Sequence, residues 1–238
     1  MQDLCDFAGY SYIAIGAAKI LGIRLSTNFS QPYFAHSVQN FWARWHISLS
    51  TWFRDYIYFP MGAGRGSAFK RAFNIMTVYT ISGLWHGAAL KYVAWGMLNG
   101  ALQVVEGFFP PRRSKHPKLQ HLLSVLRTNV FILLTMLVFR ANSFSAAVGM
   151  LQRIAMQWGA AWLNTGFSPM QGICLGVCTA VLFAIEWIHE KDETLTALTD
   201  RLPALVRGAL YLAAVMAVVI FGVWGPGYTA QAFIYFQF

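Results

Sequence analysis

Charge is scarce in this sequence: Asp, Glu, Lys and Arg make up 11% of its 238 residues, where a soluble domain carries about a quarter. That shortage excludes an ordinary globular surface and a disordered chain alike, because both depend on charge to hold water. Acidic residues are the rarest, 9 against 18 Lys and Arg, which leaves a formal net charge of +9. In a soluble chain such an excess would point to nucleic acid. Here the basic residues fall mostly between apolar runs, the pattern of membrane topology, so no nucleic-acid partner is expected. Cysteine is nearly missing too. Its 3 copies, Cys5, Cys174 and Cys178, have no metal-ligand spacing and exclude a disulfide scaffold, and no metal site is expected. Cys174 and Cys178 lie in one apolar run and read as small packing residues on a helix. No repeat or sustained heptad pattern is present, which excludes a coiled coil. The start, Met1-Gln-Asp-Leu-Cys-Asp6, lacks the basic and apolar regions of a secretory leader, so none is expected.

What is present is apolar. Hydrophobic residues make up 57% of the chain and aromatics 16%, including 9 Trp and 19 Phe, a composition suited to lipid contact and interfacial belts. Apolar runs recur near the length of about 20 residues that a spanning helix needs: Phe73–Leu90, Tyr92–Phe109, Leu122–Phe139, Gly172–Ile188 and Ala209–Trp224, with a shorter one at Ile13–Ile23. Polar punctuation falls at Gly62–Arg71, Pro110–Lys118 and His189–Arg207, each with Lys or Arg. Basic loops favour the cytoplasmic side. With these three inside, Phe73–Phe109 becomes a hairpin that returns to the cytoplasm, and the final span points the C-terminus outward. The expected fold is all-α: a multi-pass integral membrane protein, one membrane domain over residues 1–238, with the lipid bilayer as its first partner.

The stretch Phe41–Tyr58 breaks the pattern. It holds Arg44, His46, Arg54 and Asp55, and each charge at a bilayer centre costs about 2.5–3.5 kcal/mol on insertion scales. It is also too rich in Trp and Phe for a solvated loop. At helical spacing Trp45, Leu49, Trp52 and Tyr56 form an aromatic stripe, Arg44, Ser48, Thr51 and Asp55 a polar one, and Trp42, His46, Ser50 and Phe53 a third. An interfacial or re-entrant helix around 40–58 is expected, either anchored at the headgroups or lining a cavity inside a bundle.

His86 lies in Ile81-Ser-Gly-Leu-Trp-His-Gly-Ala-Ala-Leu90, near the end of a run long enough to span. An ionisable group there is a functional candidate, because hydrocarbon does not tolerate it without a reason. Tyr79, Ser82 and His86 share a helical face. Gly83 and Gly87 form a small-xxx-small pair that admits a second backbone, and Gly96 and Gly100 form another. A neutral imidazole in such a niche takes a proton from a hydroxyl, the step that acyl transfer from a thioester to an alcohol requires. The developing oxyanion needs a donor, for which the indole N–H of Trp85 or Trp45 or the Tyr79 hydroxyl are candidates. The rival readings are a histidine bonded across helices for packing alone, one snorkelling to the surface, and a proton-coupled transporter. Three further features are weaker. Gly62-Ala-Gly-Arg-Gly66 fits a turn better than a phosphate loop. Asn99, Gln103 and Glu106 share a face suited to interhelical hydrogen bonds or to a cavity wall, and Arg140 reads as an interfacial anchor.

Taken together, Gln39-Asn-Phe-Trp-Ala-Arg-Trp-His-Ile-Ser-Leu-Ser-Thr-Trp-Phe-Arg-Asp-Tyr-Ile-Tyr58 and Gly83-Leu-Trp-His-Gly87 closely resemble the membrane-bound O-acyltransferase (MBOAT) family, and within it the bacterial alginate O-acetyltransferase branch. Asp6-Phe-Ala-Gly-Tyr-Ser11, Asn28-Phe-Ser-Gln-Pro-Tyr33, Phe139-Arg-Ala-Asn-Ser-Phe-Ser-Ala146 and Phe233-Ile-Tyr-Phe-Gln-Phe238 extend the resemblance along nearly the whole chain. It implies a helical bundle around a funnel or tunnel. Members of the family have further spans ahead of the Asp-Phe-x-Gly-Tyr segment, so this chain would correspond to a C-terminal half.

The resemblance also implies an activity. The family's invariant histidine matches His86 and its second histidine matches His46. His86 is then expected as general base or transient acyl carrier, with His46 orienting or polarising the substrates. Arg44, Arg54 and Asp55 would fix their helix or meet donor phosphates, and Trp42, Trp45, Tyr79, Ser82, Trp85 and Asn99 complete the expected supporting set. The donor is expected to be acetyl-CoA, as a substrate arriving from the cytoplasm, with no bound cofactor. The acetyl group would pass to extracytoplasmic or periplasmic acetyltransferase partners that esterify an exported polysaccharide acceptor, in the bacterial inner membrane. D-alanyl transfer to teichoic acid and O-acetylation of peptidoglycan remain open on the same motifs, as does a transporter or a non-catalytic subunit.

Overall fold

A computed structural model of the chain describes residues 2–110, 115–156, 168–191 and 195–222. Trp224, the closing Phe233–Phe238 segment and the middle of the Pro110–Lys118 loop fall outside the described residues. Among the described residues every element is helical: α1 (Gln2–Ile20), α2 (Val38–Arg44), α3 (Ile47–Phe53), α4 (Ala68–Trp85), α5 (Leu90–Phe108), α6 (Pro117–Arg140), α7 (Phe144–Met156), α8 (Pro169–Glu190), α9 (Leu195–Asp200) and α10 (Ala204–Phe221). A 3-10 turn at Pro32–Phe34 precedes α2, and a π-helical turn at Arg54–Tyr58 continues α3. The all-α membrane fold expected from the apolar runs is what the chain forms.

The chain divides into two compact units, one of residues 8–166 and one of residues 1–7 with 167–238. The first is built on the antiparallel pair α4 and α5. Their backbones touch where glycine leaves room: a Cβ on Gly83 would strike the carbonyl oxygen of Tyr92, and one on Gly96 the carbonyl oxygen of Tyr79. Gly100 instead makes room for the side chains of Met76 and Tyr79. The approach that small residues permit is therefore used by α4 and α5 on each other. Gly87 has a different task. It sits beyond the end of α4 at φ 146°, a backbone conformation that glycine adopts without strain. Helix α2 packs across α5, α6 along it, and α7 against α6. Tyr92, Trp95, Val138, Phe139, Ala141 and Ala147 form the buried centre where α5, α6 and α7 meet.

Among the described residues three helices are long and apolar enough to cross a membrane: α6, α8 and α10. Helices α4 and α5, read from sequence as Phe73–Leu90 and Tyr92–Phe109, have 18 and 19 residues but are diluted by polar side chains, which they turn inward. Asn74 and Asn99 are buried, and Gln103 accepts the Tyr79 hydroxyl across the pair. Asn74 Nδ2 donates to the carbonyls of Met61 and Ala63 at 3.1 and 2.9 Å, which locks Gly62-Ala-Gly-Arg-Gly66 as a turn. The short Ile13–Ile23 run belongs to the longer α1, which begins at Gln2.

In the second unit, α8 starts with a capping box in which Ser168 and Gln171 exchange backbone bonds, with Pro169 in the first turn. Arg207 on α10 pairs with Asp200 on α9 at 3.0 Å. Most apolar side chains of α8 and α10 point outward, as expected of helices whose solvent is lipid. Cys174 and Cys178 are exposed on α8, which corrects their reading as packing residues. With glycine and alanine also spaced along this helix, small size alone did not mark a packed face.

Candidate active site

His86 is set by the turn that joins α4 to α5. Helix α4 ends at Trp85 and His86 occupies its C-cap, with its N–H donating to the Gly83 carbonyl at 3.1 Å. Gly87 then reverses the chain, and the Tyr92 ring fills the space a Cβ there would need. The half-buried imidazole meets two aromatic rings edge to face: Trp95 of α5 at 5.3 Å and 89°, and Phe139 of α6 at 5.1 Å and 85° between centroids. Trp95 and Phe139 also touch each other at 5.1 Å. Two perpendicular rings leave the imidazole little freedom to turn. The buried indole N–H of Trp95 finds no hydrogen-bond partner among the described residues, a rare state for a buried donor.

His46 is placed by a break that helical spacing does not reveal. The stretch read as one helix from 41 to 58 is three pieces, because His46 adopts left-handed φ 47° and ψ 53° between α2 and α3. A non-glycine residue holds that conformation only where its surroundings fix it. Here residues 28–30 do so: Ser30 N–H donates to the Arg44 carbonyl at 2.9 Å and Ile47 N–H to the Asn28 carbonyl at 3.0 Å. Asn28 Oδ1 accepts from Ser48 N–H and Oγ–H at 3.1 and 2.7 Å, and Ser48 Oγ lies 3.4 Å from His46 Nδ1. Burial, with a smaller contribution from the His86 charge, holds His46 well below the usual histidine range, at about 4. The imidazole of His46 is therefore neutral at pH 7 and near enough to His86 to sense its charge.

The same break corrects the aromatic stripe. Trp45 is buried, stacked on Phe41 at 5.5 Å and 16°, whereas Trp52 and Tyr56 are exposed and pack on each other. Trp85 is 65% exposed, and its aromatic neighbours are Trp52 and Phe53. The Tyr79 hydroxyl is already spent on Gln103. Of the indoles considered as oxyanion donors, then, neither Trp45 nor Trp85 makes the ring contact with His86 that Trp95 makes.

The charged residues hold backbone and one another. Arg44 Nη1 donates to the Gln31 carbonyl at 3.2 Å. Arg54 pairs with its neighbour Asp55 at 2.8 Å, both exposed. Of the α5 face, Asn99 accepts the Trp42 indole N–H at 3.2 Å, and Glu106 takes Val38 N–H at 2.9 Å and Arg127 at 2.7 Å. Interhelical bonding thus uses all three of Asn99, Gln103 and Glu106. Gln103 and Glu106 also line cavities.

Two cavities follow the α4–α5 pair. One, about 500 Å³, lies at the α5–α6 end and is lined by His36, Glu106, His121 and Arg127. The other, about 410 Å³, is lined by Trp42, Arg54, Tyr79 and Ser82. Gln39 and Gln103 line both. Trp42 continues the series, since it meets Trp95 edge to face at 5.4 Å and Trp95 touches His86. The 18 residues of α4 rise roughly 27 Å at ~1.5 Å per residue. The imidazole therefore lies a helix length away from the basic segment Gly62–Arg71 and from Lys115 and Lys118, which are at the opposite end of the hairpin. Trp95 and Phe139 escaped the sequence reading as wall residues because they reach His86 from other helices. The one available signal was that Phe139 opens the Phe139-Arg-Ala-Asn segment.

The profile of the MBOAT, membrane-bound O-acyltransferase family matches residues 2–149, the part that carries both histidines and every element just described around them. The chain belongs to that family. Among relatives of this MBOAT chain, a probable alginate O-acetylase AlgI of Pseudomonas aeruginosa is 39% identical over 142 residues, covering 60% of this chain and 27% of that protein. A peptidoglycan O-acetyltransferase of Helicobacter pylori is 38% identical over 148 residues, 62% of this chain and 28% of the relative. A teichoic acid D-alanyltransferase of Bacillus subtilis is 30% identical over 151 residues, 58% and 38% respectively. The MBOAT chain thus spans roughly a third of the length of these curated relatives.

Proposed function

We propose that the protein is a membrane O-acyltransferase that moves an acetyl group from a cytoplasmic thioester, acetyl-CoA, towards an exported polysaccharide on the other side of a bacterial inner membrane that it crosses several times. The observation that carries the reading is His86 itself, an imidazole clamped by Trp95 and Phe139 at the end of the hairpin away from the basic loops. Of the cavities beside Gln39 and Gln103, one lies at the basic end and the other part-way along α4, an order that suits a donor threading inward from the basic side.

The chemistry asks for few groups. His86 removes the proton of the acceptor hydroxyl as its oxygen attacks the thioester carbonyl. The tetrahedral intermediate collapses with loss of thiolate, which takes up the proton from the imidazolium. The unpartnered indole N–H of Trp95 is a donor of the kind the developing oxyanion needs. His46, neutral at pH 7, adds no competing positive charge and is placed to orient the substrates. A nucleophile of an extracytoplasmic acetyltransferase partner then takes the acetyl group by attack on that ester, which breaks its acyl–oxygen bond and restores the acceptor hydroxyl.

An alginate-like polymer is the first choice of acceptor, on the likeness to the Pseudomonas protein. The likeness to the Helicobacter and Bacillus proteins keeps peptidoglycan O-acetylation and D-alanyl transfer as second readings, separable by which polymer loses its ester. The test is His86→Ala at the native locus, with ester content and membrane abundance measured together. Loss of ester by more than about 100-fold at normal abundance supports the reading, that being the scale of general-base contributions. Unchanged ester content removes His86 from catalysis and leaves the transporter or subunit reading.

A further inference from the structure

Asn99 is fully buried, with both ends of its amide engaged. Its Oδ1 accepts the indole N–H of Trp42 at 3.2 Å and its Nδ2 donates to the Trp95 carbonyl at 2.9 Å. Each partner leads to one histidine. Trp42 lies in the last turns of α2, whose end is the Trp45–His46 break. Trp95 stands edge to face against the His86 ring at 5.3 Å, and Trp42 and Trp95 cross at 5.4 Å and 86°. The other polar tie described between α2 and α5, Val38 N–H to Glu106, is at the start of α2, away from the histidines.

We propose that Asn99 is a positioning residue that fixes the His46-bearing segment against the ring that holds His86, through the Trp42–Asn99–Trp95 chain. This rests on the acyl-transfer reading above. The amide satisfies both neighbours at once, as acceptor to one and donor to the other. Aspartate keeps the acceptor for Trp42 but loses the donor to Trp95, leucine loses both, and glutamine is one methylene too long for a site with no room. Placement errors of an ångström at catalytic groups cost on the order of 100-fold in rate, so the bond matters for turnover more than for donor affinity.

The experiment measures kcat and KM for acetyl-CoA, per folded protein, in native membranes carrying Asn99→Leu, Trp42→Phe or both, with His86→Ala alongside. The expected result is a roughly 10- to 100-fold fall in kcat for each single variant, with KM changed less than about twofold. The double variant should fall no further than the worse single one, because the same bond is lost. Wild-type kcat in Asn99→Leu, or losses that multiply in the double variant, overturns the proposal while an inactive His86→Ala leaves the acyl-transfer reading standing. An active His86→Ala instead overturns that reading first. If Asn99→Leu fails to accumulate, Trp42→Phe alone decides, and unchanged turnover there overturns the proposal.

Discussion

His46 and His86 have the same side chain and opposite legibility. His86 stands out in the sequence because an ionisable group interrupts an apolar run, and the structure keeps it where that interruption suggests, at a helix end among aromatic rings. His46 stands out only through the family resemblance, since its left-handed backbone at φ 47° follows from bonds to residues 28–30 that no periodicity announces. Its titration gives a prediction. Burial lowers its folded-state value to about 4 from the 6.5 of an ordinary histidine. Between those values the unfolded chain takes up a proton that the folded protein refuses. Stability is therefore fully present above about pH 6.5 and is lost as pH falls towards 4. Thermal unfolding in detergent across that window should show a fall in midpoint that His46→Gln flattens. An acid dependence identical in the variant would assign the effect to other groups.

At the scale of elements, the apolar runs located the described helices that are long and apolar enough to cross a membrane. Leu122–Phe139, Gly172–Ile188 and Ala209–Trp224 fall on α6, α8 and α10 to within a few residues, apart from the last residues beyond 222. Two things were not legible. The short α7 at Phe144–Met156 lies outside every run long enough to span. The division of 41–58 into α2, α3 and a π-helical turn depends on tertiary bonds, so Trp45 goes inward and Trp52 outward although their spacing on one helix would align them. The α4–α5 hairpin was legible through its glycines, and there the contact is backbone on backbone. Gly96→Ala must push the Tyr79 carbonyl aside, an overpacking that costs about 1–3 kcal/mol. It should lower the thermal midpoint and separate Tyr79 from Gln103. Gly107→Ala, where a Cβ meets nothing within 4 Å, should leave the midpoint unchanged or raise it. Equal midpoints for the two variants would show that the hairpin has slack at Gly96.

For the whole molecule, the direction of transfer proposed above rests on the placement of the basic residues. The segment Gly62–Arg71 with Lys115 and Lys118 lies at one end of α4 and α5 and the imidazole at the other, roughly 27 Å away by helical rise, with cavities of about 500 and 410 Å³ along the pair. The family motifs made the two histidines legible as a pair. The sequence could not show the cluster beside His86, because Trp42, Trp95, Asn99 and Phe139 come from three helices and meet only after folding. The central claim is that an acyl group enters beside the basic loops and leaves as an ester past His86. Its most direct measurement uses inverted native membrane vesicles, given acetyl-labelled CoA on their outward-facing cytoplasmic surface, with the label followed into esters on polymer inside. The account predicts luminal O-acetyl ester in wild-type vesicles and none in His86→Ala vesicles of equal protein content. Label confined to the cytoplasmic surface, or luminal ester undiminished in His86→Ala vesicles, would contradict it.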